Sequence, residues 1–64
     1  MIEITRLNGE KMMLNIDLIE LIEETPDTII TLTTGRKVLV KESARQIRAE
    51  IIKFRKLVYS DLKK

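Results

Sequence analysis

Cysteine, histidine and tryptophan are all missing from the 64 residues, and Phe54 and Tyr59 are the only aromatics. Each gap closes off a class of chemistry. Without cysteine there is no disulfide framework and no thiolate nucleophile. Without cysteine or histidine no ordinary zinc site can be assembled. Histidine is also the commonest general acid or base, so proton-transfer catalysis loses its usual agent. Gly9 and Gly35 are the only glycines, too few for a phosphate-cradling loop. The uninterrupted apolar runs reach three residues at most, far short of a membrane span. No basic and apolar leader precedes the first strand-like stretch, which points to a cytoplasmic protein with no signal peptide.

What remains is aliphatic and charged. Residues 1–42 carry five basic side chains against eight acidic ones, a net −3, whereas residues 43–64 carry seven against two, a net +5. The carboxylates Asp17, Glu20, Glu23 and Glu24 cluster in sequence. Paired catalytic carboxylates need a cleft that raises one pKa, and short strands offer little cleft. The cluster therefore reads as a solvated edge, and neither an enzyme activity nor a cofactor is expected.

Residues 2–7 alternate Ile2 and Ile4 with Glu3 and Thr5, a strand pattern. Asn8-Gly9 readily takes the positive φ angles of a tight hairpin turn, and residues 10–15 return as a strand. Asn15-Ile16-Asp17 reads as an irregular corner. Residues 18–24 fit a strand or a helix, and the strand is favoured because a partner follows at once. In Thr25-Pro26-Asp27-Thr28, Pro26 suits the second turn position and Asp27 the third. The β-branched run 28–33 follows, Thr34-Gly35 turns it, and residues 36–41 form a further strand. Ser43 with Gln46 makes a capping box. Ala44, Ile47, Ile51, Phe54, Val58 and Leu62 then lie on one helical stripe.

The expected fold is α+β, in one domain spanning residues 1–64. An antiparallel meander of about five short strands (1–42) carries a C-terminal amphipathic helix (43–62) on one face. That face comprises Ile4, Met12, Leu14, Ile30, Leu32, Val38 and Val40.

Several apolar residues fall outside both stripes: Met13, Ile22, Ile29 and Leu39 on the strands, and Ile52, Leu57 and Tyr59 on the helix. Contiguous apolar patches mark contacts. These residues are the candidate partner contacts, and a homo-oligomer is one way such a small domain completes its core. The basic helix offers a second candidate surface, Arg45, Arg48, Arg55 and Lys56, for an anionic partner. A nucleic-acid-binding regulatory module is the alternative reading. Against it, the strands carry acidic residues and no aromatic platform for stacking bases. Arg6 lies on the side that Ile2 and Ile4 make apolar, so it should pair with Asp17 or Glu20, or else be left for a partner.

Several blocks occur in a fixed order: Thr5-Arg6-Leu7-Asn8-Gly9, Leu14-Asn15, Asp17-Leu18-Ile19-Glu20, Glu24-Thr25-Pro26-Asp27-Thr28, Leu32-Thr33-x-Gly35 and Val40-Lys41-Glu42-Ser43. In these the chain resembles the FlbD/SwrD family of small bacterial flagellar proteins, over about residues 2–43. The helix is similar only in character, and Thr34 stands where family members often have Asn. The resemblance implies a cytoplasmic accessory of motility and swarming, acting at the flagellar base. Its implied partners are motor or stator proteins, and its implied mode is protein contact without a cofactor. Within these blocks Asn8, Gly9, Pro26, Asp27 and Gly35 make turns and Ser43 caps the helix.

Overall fold

The computed structural model describes the backbone of residues 1–63 and the side chains of residues 1–58. Five strands run β1 (Ile2–Thr5), β2 (Lys11–Leu14), β3 (Ile19–Glu24), β4 (Thr28–Leu32) and β5 (Lys37–Val40). A 3-10 turn (Ile16–Leu18) separates β2 from β3, and α1 (Ala44–Lys63) follows β5. The class is α+β, with β1 and β2 in one antiparallel sheet and β3, β4 and β5 in another. A single antiparallel bridge, Arg6 to Val40, sets β1 beside β5, and the Lys41 amide donates to the Thr5 carbonyl at 2.8 Å. The spatial order is therefore β2-β1-β5-β4-β3.

Alternation decides which side chains go inside. Ile2, Ile4, Leu14, Ile30, Leu32, Val38 and Val40 form the buried face, closed by Ile47 of α1. Met12 is half-buried against them. Ile16 joins this core from the 3-10 turn, where the Asn15 side chain accepts the Asp17 amide at 3.0 Å. Burying one such aliphatic side chain contributes about 1.5–3 kcal/mol, so these few residues supply most of the driving force.

Ile22 overturns the expected phase. It pairs with Ile30, which is fully buried, and packs half-buried against the core rather than facing away. The cause is an irregularity between Ile19 and Leu21, where the register against β4 shifts. One extra residue inverts every later side chain of the strand. Ile22 turns inward and Leu21 outward, 50% exposed.

The β1–β2 and β4–β5 connections share one geometry. The Arg6 amide donates to the Glu10 carbonyl and the Gly9 amide to the Arg6 carbonyl, at 2.8 and 2.9 Å. Leu32, Arg36 and Gly35 repeat the pattern, both bonds at 2.8 Å. Each is a three-residue loop ending in a glycine at positive φ, 93° for Gly9 and 90° for Gly35. Asn8 does not share the positive φ, so Asn8-Gly9 is not the two-residue turn its dipeptide favours. Between β3 and β4 the paired residues are Glu24 and Thr28, which puts Pro26 at the centre of its loop behind a cis Thr25–Pro26 peptide.

α1 begins on two sets of acceptors. Ser43 Oγ accepts the Gln46 amide at 3.1 Å, and Gln46 Oε1 accepts the Ser43 amide at 2.8 Å. Glu24 Oε1, from the end of β3, accepts the Ala44 amide. The helix packs on β1 and β3. Its 20 residues extend about 30 Å, against a sheet whose strands have six residues at most. Ile47 is buried and Ile51 and Phe54 half-buried, but Val58, the next position on the stripe, is 42% exposed. The stripe outruns the sheet it covers.

Candidate interaction surface

The outward face of the three-stranded sheet is built by register. Ile29 stands opposite Leu39 on β5 and Glu23 on β3, and Thr31 stands opposite Lys37 and Leu21. Cross-strand neighbours lie about 5 Å apart and diagonal ones about 7–8 Å, so Leu21, Ile29 and Leu39 share one apolar patch. Leu39 is exposed and Ile29 half-buried within it. Thr31 lies between them, and its hydroxyl oxygen is buried with no hydrogen-bond partner among the described residues. Met13 is exposed on the other sheet, opposite Glu3.

Where the two matching turns approach each other they enclose a notch of about 270 Å³, lined by Arg6, Leu7, Asn8, Arg36, Lys37, Val38 and Leu39. Arg6 corrects an expectation. Its Nε donates to Met12 Sδ at 3.1 Å, and among the described residues it forms no ion pair with Asp17 or Glu20. The reason is position. Arg6 follows β1 at the bridge to Val40, so it faces the turns, whereas Asp17 lies on the 3-10 turn preceding β3.

On another side, α1 overhangs the 3-10 turn. A groove of about 600 Å³ is lined there by Met1, Asn15, Ile16, Asp17, Ile52, Phe54, Arg55, Lys56 and Val58. Ile52 is thus a groove residue, and Leu57 is exposed on the same helix. Arg45 and Arg48 are exposed near the helix start, and Arg55 and Lys56 about two turns later. The Tyr59 side chain lies outside the described residues.

Two carboxylates, Glu24 and Glu42, have structural roles that the sequence does not disclose, because their partners are distant in the chain. Glu24 reaches α1, and Glu42 Oε1 accepts the Thr5 amide at 2.9 Å. Burial pushes the Glu42 carboxyl up, but the Thr5 hydrogen bonds, its own amide and the Lys11 charge outweigh it and hold the group below the usual carboxylate range.

Among the described residues no cluster of His, Cys, Asp and Glu could hold a metal ion, and no helix is long and apolar enough to cross a membrane. No curated protein and no solved structure matches the chain. One family model does, that of flagellar and swarming motility proteins, and it covers residues 1–59. That span takes in all five strands, both matching turns, the notch between them and most of α1. The chain belongs to the FlbD family.

Proposed function

We propose that the protein is a non-enzymatic accessory of the flagellar motor, working in the cytoplasm at the flagellar base, and that it raises motor power by binding a motor or stator protein. The observation carrying this reading is the outward patch of Leu21, Ile29 and Leu39. Leu21 and Leu39 are exposed and Ile29 half-buried on the face turned away from the core, while Ile30, Leu32, Val38 and Val40 fill the inward one. Patches of this kind mark protein contacts. Family membership supports the process, motility and swarming.

The test is genetic. Deleting the gene leaves flagella assembled but slows swimming in viscous medium and swarming. Leu39→Glu reproduces the defect while circular dichroism shows a folded protein. Reversing the helix charges (Arg45→Glu with Arg48→Glu) has the smaller effect. A motility loss confined to the charge-reversed protein would replace this reading with a phosphate-binding one.

A further inference from the structure

The notch between the two turns gathers three cations, Arg6, Arg36 and Lys37, and no carboxylate lines it. The one ion pair among the described residues, Lys11 with Glu3 at 3.7 Å, involves none of them. Like charges gathered in a concave site repel each other and are stabilised by a bound anion. The Met12 sulfur holds the Arg6 guanidinium by its Nε, leaving the terminal nitrogens for another acceptor. Arg6 is also half-buried, so an ion pair formed there is screened less by water than one on the open surface. The rim is apolar at two points, Leu7 and Leu39, both more than two-fifths exposed. Leu39 lines the notch and also belongs to the outward patch, so the notch adjoins the patch at the end of β5.

We propose that Arg6, Arg36 and Lys37 form a receptor for a carboxylate on an acidic, leucine-bearing segment of a partner protein, whose apolar side chains lie on Leu39, Ile29 and Leu21. The proposal deepens the reading of the protein as a motor accessory by stating the chemistry its partner presents. Charge and shape favour a peptide over a nucleic acid. The notch holds three cations in about 270 Å³, where a polyanion needs a long basic track. The free terminal nitrogens of Arg6 can donate paired hydrogen bonds to a carboxylate.

The experiment is nuclear magnetic resonance titration of the ¹⁵N-labelled full chain with an acetylated peptide of alternating glutamate and leucine. Its glutamine-for-glutamate analogue and a single-stranded oligonucleotide are titrated in parallel. The acidic peptide should shift the Arg6 Nε–H and the amides of Leu7, Gly9, Gly35, Lys37 and Leu39, and the analogue should not. Arg36→Gln and Lys37→Gln should each weaken binding about threefold, as expected for exposed ion pairs. Arg6→Gln should weaken it more, and Arg45→Gln should leave it unchanged. Because Arg36 and Lys37 are exposed, their variants report binding even if Arg6→Gln perturbs the fold. Shifts centred on α1, equal binding of the glutamine analogue, or tighter binding of the oligonucleotide at the notch would each overturn the proposal. If the triple variant Arg6→Gln, Arg36→Gln and Lys37→Gln abolishes peptide binding yet cells swarm normally, the receptor stands and the motor role falls. If swarming fails with Leu39→Glu but peptide shifts never reach the notch, the motor role stands and the receptor falls.

Discussion

The Thr5 amide donates to the side chain of Glu42 across 37 positions of sequence, and that bond ties the first hairpin to the segment between β5 and α1. The sign of its pH dependence follows from the lowered Glu42 pKa. A carboxyl whose folded pKa lies below its unfolded value, about 4.3, stabilises the fold above that pH. The contribution is lost as pH falls through the folded value. Glu42→Gln should therefore unfold at lower urea than the parent near neutrality, with the gap closing in acid. Urea titrations followed by circular dichroism at about pH 7 and about pH 3 check this, and a gap that widens in acid would refute it.

Ile47 and Val58 lie on one stripe of α1 but have unlike surroundings, 1% and 42% exposed. Ile47→Ala should cost about 2–5 kcal/mol, a large part of the stability of so small a domain. Val58→Ala should stay within about 0.5 kcal/mol. Equal losses in denaturant titrations would mean that the overhanging part of the helix is packed after all.

Gly35 has φ of 90°, and a Cβ placed there would meet nothing within 4 Å. The cost of Gly35→Ala is thus conformational alone, about 1–2 kcal/mol. Asn tolerates this region better than Ala, so Gly35→Asn should recover part of the loss. Thermal melts of the two variants give the comparison. Gly9, with the same turn and the same open surroundings, should rank them identically.

Ser43 and Glu24 supply separate acceptors to the first turn of α1. Ser43→Ala should cost about 1 kcal/mol, as loss of an N-cap usually does. Because Glu24 still accepts the Ala44 amide, the double variant with Glu24→Ala should lose more helical signal than either single change. If the double variant matches Ser43→Ala, Glu24 contributes nothing to the cap.

Local chemistry made much of this architecture readable. Period-two alternation identified Ile4, Leu14, Ile30, Val38 and Val40 as the inward set, and the same alternation left Ile29 and Leu39 outside. Reading failed where a backbone irregularity broke the count. Ile22 lies on the side opposite to that expected because no residue type announces the register shift before Leu21. It failed again where the deciding neighbour is remote. The partner of Glu42 is Thr5, and the notch joins a turn near residue 8 to another near residue 35, a meeting fixed only by the Arg6–Val40 bridge. The expected carboxylate partner of Arg6 is replaced by a sulfur on β2, which follows from side-chain packing rather than charge pairing.

The seam between the first hairpin and the last strand also governs how the chain comes together in time. The Arg6–Val40 bridge, made by the Lys41 amide donating to the Thr5 carbonyl, and the Thr5 amide to Glu42 close loops of similar length. Closing the first costs entropy that grows only as the logarithm of loop length, and once it is closed the second costs almost nothing further. The two links therefore form and break together. The hairpin docks as a unit, and the amides of Thr5 on β1 and Lys41 just after β5 exchange with solvent through the same opening event.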